Sequence, residues 1–156
     1  RQMCIRDRKK WIRADFGKII PKRISNLGKK NAKRFIFYIN IGDEESKNDI
    51  ISKTSDILQK RIDSKISAFE LRNAGFLANT LAQNSINETS KFSSRVYAQA
   101  IAIGHMRGHA IVSSDYAVKV INLLNNNSKI EASNERNKQI DLAKSVLSER
   151  TTNSGL

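Results

Sequence analysis

Cysteine, proline and tryptophan each occur once in the 156 residues, histidine occurs twice, and aromatic residues make up 6% of the chain. A single cysteine excludes an intramolecular disulfide framework. With so few prolines and only seven glycines, little in the chain would break helices, and abundant Ile, Leu, Ala, Lys and Asn suit helix better than sheet. No apolar run approaches the roughly 18 residues of a membrane span. The phosphate-loop pattern G-x-x-x-x-G-K-[ST], the dinucleotide pattern G-x-G-x-x-G and the Gly-x-Ser-x-Gly nucleophile elbow are all missing. The length suits one domain with one core, and 39% hydrophobic with 28% charged residues is compatible with a folded globule.

Positive charge is plentiful and unevenly placed. Of the net +13, residues 1–34 carry +11 (13 Lys/Arg against Asp7 and Asp15), and the remainder carries +2. The first eight residues, RQMCIRDR, read as translated sequencing-adapter sequence and are set aside from the fold; Cys4, the one thiol, goes with them. Residues 9–20 then form a basic lead-in with Trp11 and Phe16 among Lys9, Lys10, Arg13 and Lys18. Such a block is either a solvated face or, with Lys22 and Arg23 added, a surface that neutralises phosphates and stacks bases. No named nucleic-acid motif accompanies it.

From Pro21 onward the spacing predicts an all-α bundle of five to six helices over residues 21–149, followed by a disordered tail at 150–156. Ile24, Leu27, Phe35, Ile36 and Ile39 outline a first helix weakened by Gly28. Asp43, Glu44 and Glu45 sit where a second helix begins, as a cap and as charges matched to the helix dipole. That helix has the stripe Ile50, Ile51, Thr54, Ile57, Leu58 and Ile62, and Asp63 or Ser64 is the expected cap of the next one. Ala68–Gln83 is apolar on more than one face, with Phe69 and Phe76 seven apart, and reads as a central helix contacting neighbours on both sides. Asn87 and Glu88 are placed to cap a fourth helix. A last one is expected over about Ala132–Glu149, with a sparse stripe at Ile140, Ala143 and Leu147.

The chain is organised around Ser94–Leu124, which holds both histidines and the longest low-charge apolar run. Ala98, Ile101, His105, His109, Val112, Tyr116, Val120 and Leu123 recur at steps of three or four, so both imidazoles are expected on the core-facing stripe. Gly104 and Gly108 predict a kink or break near residues 104–109. The i, i+4 spacing of His105 and His109 also fits two metal ligands, with Glu70 or Asp115 as the nominated third. A site needs a full ligand set and its supports, so the favoured reading is that both rings fill a packing seam. No metal or other cofactor is expected. Tyr116 is read as a core ring with a satisfied hydroxyl.

At Ala98–Val120, AQAIAIGHMRGHAIVSSDYAVKV, the sequence resembles the Imm-five-like putative immunity protein family of toxin–immunity repertoires. In that family an alanine-rich helix leads to Ala-Thr-Ala-His-Val-Pro-x-His-Ala and then Tyr-Ala-x-Lys. His105, His109, Ala110, Tyr116, Ala117 and Lys119 match, whereas Met106 and Arg107 replace Val-Pro. Arg72, Ala74, Ala78 and Ala82 are similar to an Arg-x-Ala-x-x-Ala helix; Glu135, Arg136 and Gln139 match a Glu-Arg-x-Trp-Gln segment, with Lys138 in place of the tryptophan. The resemblance covers Ser67–Leu147 well and the first helix weakly. It implies a helical, non-catalytic, cytoplasmic protein that binds and neutralises a cognate toxin or effector. A basic nucleic-acid-binding protein is the alternative, and a metal-dependent enzyme using the histidine pair is a third reading.

Overall fold

The computed structural model describes Lys10, residues 21–106 and residues 108–148, with backbone alone described at Pro21, Lys22 and Leu147. The set-aside octamer, the lead-in apart from Lys10, and the 150–156 tail lie outside the described residues. Six α-helices account for most of what is described: α1 Pro21–Lys33, α2 Glu44–Ile62, α3 Ala68–Gln83, α4 Glu88–Ala102, α5 Gly108–Leu124 and α6 Lys129–Ser148. No strand occurs among the described residues, so the architecture is all-α as expected.

Helix α4 is the hub. It packs against α1, α2, α3 and α5, and against a single 3-10 turn at Ile36–Tyr38. Small residues let its neighbours come close: Ser90, Ser93, Ser94, Ala98 and Ala100 are buried on α4, and Ala110, Ser113, Ser114 and Ala117 on α5. The Ser113 hydroxyl donates to the Val96 carbonyl at 2.8 Å, so a polar group is satisfied inside that contact. The core continues through Ile24, Leu27, Phe35, Leu58, Leu71, Leu81, Val96, Ile101, Val120 and Ala143.

Local chemistry sets the helix starts. The Asp43 carboxylate accepts from the N–H groups of Glu45 and Ser46 and from the Ser46 hydroxyl; that hydroxyl first, and the backbone bonds after it, hold its pKa below the ordinary carboxylate value. Asn87 caps α4 by accepting from Ser90 N–H. Helix α3 spans Ala68–Gln83 as expected, but its cap is neither Asp63 nor Ser64. Asp63 closes α2, Ser64 takes a left-handed φ of 59°, and Ser67 is the cap, paired with Glu70 in a capping box.

Two further expectations are corrected. The first helix stops at Lys33 and the chain tightens into the 3-10 turn, so Phe35 and Ile39 reach the core from outside α1. Gly28 is not merely a weak point in α1, because a Cβ there would lie 2.2 Å from Ile103 Cδ1. The glycine leaves room for the tip of the Ile103 side chain between α1 and the end of α4, every other approach there being ordinary contact.

Candidate functional site

The predicted break falls where expected, between Ala102 and Gly108. The Arg61 side chain crosses from α2 and donates through Nε to the Gly104 carbonyl at 3.1 Å, satisfying a carbonyl just past the end of α4. The intervening non-helical residues reset the helical phase. The buried face of α5 is therefore Ala110, Ser113, Ser114, Ala117 and Val120, while Val112 is exposed.

That reset overturns the expected burial of the histidines. His105 is exposed and His109 half-buried, with ring centroids 6.3 Å apart. His109 Nδ1 lies 2.6 Å from Gln99 Oε1. With Gln99 presenting its carbonyl oxygen, Nδ1 carries the proton and Nε2 remains an acceptor. Burial, and secondly the neighbouring His105, lower the His109 pKa below the ordinary histidine value.

The rings open into a hollow of about 430 Å³ between α3, α4 and the break, lined also by Arg72, Phe76, Asn79 and Met106. A second hollow of similar size adjoins it at Asn79 and is lined by Gln83, Ser85, Lys91 and Arg95. Among the described residues no Asp or Glu lines either one. Both acids nominated as a third metal ligand are engaged elsewhere: Glu70 Oε2 accepts from Ser67 N–H, and Asp115 pairs with Arg136 at 2.5 Å. Among the described residues no group of three or more His, Cys, Asp or Glu side chains stands close enough to hold a metal ion.

Helix α3 also departs from expectation. It buries Leu71, Ala74, Ala78, Leu81 and Ala82, but Phe69 and Phe76 are 70% and 61% exposed. Phe69, Arg72 and Phe76 follow i, i+3, i+7 spacing and so share one outward face. The Arg72 guanidinium sits 5.4 Å from the centroid of the Phe76 ring. Tyr116 and Lys119 join a comparable cluster on α4 and α5. Arg95 lies over Phe92 at 5.2 Å and over Tyr116 at 5.6 Å, and Lys119 Nζ over Phe92 at 5.5 Å. Tyr116 is thus half-buried, packed against the edge of the core while joining this surface cluster, and less enclosed than the expected core ring.

Glu135, Arg136 and Gln139 lie apart from this face, buried on α6. Glu135 accepts two bonds from Arg34, at 3.0 and 2.6 Å, and one from Gln139 at 2.9 Å. Arg136 donates to Gln139 Oε1 at 2.9 Å, to Ser114 Oγ at 3.2 Å and to Asp115. Arg34 also bonds Asn31 Oδ1. The network ties α6 to α5 and to the end of α1. The usable sequence signal was position: Ala132, Glu135, Gln139, Ala143 and Val146 keep three-four spacing, so polar side chains occupy slots of the buried stripe. Arg34, Asn31 and Ser114 carried no such signal.

Of the basic candidates, Lys10 is exposed, and Arg23 Nη1 donates to the Val146 carbonyl at 3.4 Å, which makes it part of the α1–α6 contact. Lys9, Arg13, Lys18 and the Lys22 side chain lie outside the described residues. Among the described residues no helix is long and apolar enough to cross a membrane.

No curated protein and no solved structure matches the chain. A family model described as "Imm-5 like putative immunity protein" matches residues 31–146. That span runs from Asn31 of the Arg34 cluster to Val146 of α6, and takes in the break, both histidines and the whole α3–α4 face. The chain belongs to the Imm-5 like putative immunity protein family.

Proposed function

We propose that this chain is a cytoplasmic immunity protein that binds a toxin or effector partner and neutralises it by occlusion, without catalysis of its own. The observation that carries the reading is the outward face of α3 and α4, where large apolar side chains and cations stand together around two adjoining hollows. Apolar surface gathered in this way, rimmed by polar groups, is characteristic of protein-binding sites. Family membership supports the same reading. The buried network of Glu135, Arg136 and Gln139 then serves the scaffold, because its carboxylates are committed to arginine and glutamine partners within the fold.

The test is co-expression. A toxin-like open reading frame beside the intact gene is induced in a host with and without this chain. Restored growth together with a stoichiometric complex on gel filtration is the expected result. Continued killing at full expression of the folded chain would sink the reading.

A further inference from the structure

Two arginines on the α3–α4 face are held by aromatic rings and by no acid. Arg72 lies against Phe76, and Arg95 against Phe92 and Tyr116. Among the described residues neither makes a hydrogen bond or an ion pair. A guanidinium over a ring face keeps its N–H fork available, the chemistry that suits bidentate recognition of a carboxylate. Arg72 lines the first hollow and Arg95 the second, with Asn79 shared between them. The hollows therefore read as one groove along the α3–α4 seam.

Helix geometry gives that groove a length. Lys91, Arg95, Gln99 and Ala102 lie along α4, and the first and last are 11 residue steps apart, about 16 Å at the α-helical rise. An extended chain rising about 3.3 Å per residue covers this with about five residues. Gly75 meets Ala102 and Ser85 meets Ser94 and Ser90, so the antiparallel helices put Arg95 near the level of Ala82; Arg72 lies ten residues away on α3, about 15 Å along the seam. Two carboxylates four residues apart on an extended strand share one face and come close to that separation, at about 13 Å. At the Arg72 end, exposed Phe76 and Met106 offer apolar contact beside the histidines.

We infer that the groove between α3 and α4 is the partner-binding face, and that it takes an extended acidic segment of the partner protein. Its carboxylates sit on Arg72 and Arg95, with one apolar side chain against Phe76 and Met106. The inference rests on the immunity reading and adds to it the chemistry of the partner. Lining without any carboxylate rejects basic segments by repulsion as well as attracting acidic ones. The face differs from the basic lead-in, so it is tested independently of Lys9–Lys18.

The experiment is a fluorescence-anisotropy titration of the full chain with a fluorescein-labelled peptide, Gly-Glu-Ala-Leu-Ala-Glu-Gly, at low and physiological salt. Its Gln-for-Glu counterpart and a labelled single-stranded DNA 20-mer serve as comparison probes. The acidic peptide is expected to bind, to weaken with salt, and to exceed the Gln peptide by roughly tenfold. Arg72→Ala with Arg95→Ala should weaken it by about tenfold, whereas Lys138→Ala on α6 leaves it within about twofold, all variants being checked for native melting by circular dichroism. Arg72→Lys with Arg95→Lys, which keeps charge but loses the fork, should recover only part of the affinity. Equal binding of the two peptides, or an unchanged double alanine variant, overturns the inference. DNA bound more tightly through the same two arginines also overturns it, in favour of nucleic acid as occupant. In the co-expression assay, failure of the wild-type chain removes the immunity reading while the peptide titration still reports on the groove. Full rescue by the folded double variant leaves immunity standing and removes the groove.

Discussion

Arg34 grips Glu135 through two parallel hydrogen bonds of 3.0 and 2.6 Å, joining the end of α1 to the middle of α6 across 101 positions of sequence. The carboxylate is almost fully buried, with its side chain 1% exposed, whereas the arginine keeps 29% of its surface in water. Removing the acid strands one guanidinium and one Gln139 amide, but Arg34 can partly rehydrate. Glu135→Ala is therefore expected to cost about 3 kcal/mol, the low end for breaking a buried pair. Glu135→Gln, which keeps the shape and one acceptor, should cost less. Urea unfolding followed by circular dichroism measures both; equal losses would mean that charge contributes little here.

Tyr97 gives a second site where burial and bonding can be separated. Its hydroxyl donates to the Ile51 carbonyl at 2.9 Å and shares a 2.7 Å bond with Thr54, fixing α4 on α2. Burial pushes the phenol up to about 12. The folded value lies above the ordinary one, so the stabilisation is complete below the ordinary value of about 10 and is lost as pH rises through that interval. Ultraviolet titration should show one of the three tyrosines ionising late, and Tyr97→Phe should remove that component. The same variant is expected to lose about 1 kcal/mol of stability, the typical net worth of a hydrogen bond.

His109 has the opposite sign on the acid side. Its folded pKa is lowered, chiefly by burial and next by His105, so the unfolded chain takes up the proton first. Its contribution is full above the ordinary imidazole value of about 6.5 and declines as pH falls through that value toward the lower folded one. Urea midpoints measured across pH 5.5–7.5 should fall on acidification, and His109→Gln should flatten that slope. An acidic peptide in the groove favours the protonated ring, so its affinity is expected to rise over the range in which stability falls.

Features set by near neighbours were legible in the sequence, and features set by a partner far along the chain were not. The caps at Asp43 and Asn87 and the break between Gly104 and Gly108 depend on side chains beside the backbone they satisfy or disrupt. The phase of α5 relative to α4 does not. A continuous pattern carried through residues 103–107 placed His105 and Val112 inward, and the non-helical residues turned both toward solvent. On α3, hydrophobicity alone made Phe69 and Phe76 core residues, although Leu71, Ala74, Ala78 and Leu81 already fill the inward face. Their exposure is information that only the fold supplies, and it is what points to the groove. Glu135 illustrates the converse. Its place on the Ala132–Val146 stripe marked it for burial, but the partner that makes that burial tolerable, Arg34, comes from another element.

The clearest test of the packing is a double-mutant cycle at Gly28 and Ile103. Alanine at Gly28 would place its Cβ 2.2 Å from Ile103 Cδ1, an overlap that real atoms do not tolerate. Forcing a methyl into a filled core costs about 1–3 kcal/mol, while replacing a helical glycine by alanine returns about 1 kcal/mol of propensity. Gly28→Ala alone is thus expected to be destabilising by about 1 kcal/mol. Ile103→Val deletes the offending Cδ1 at a cost of about 0.5–1.5 kcal/mol. In the Ile103→Val background the space exists, so the same alanine should be neutral or stabilising. The coupling free energy from urea midpoints should therefore favour the double variant by about 1 kcal/mol or more. Strict additivity would mean that the Ile103 tip swings aside, or α1 shifts, at little expense, and that Gly28 is not needed to accommodate it.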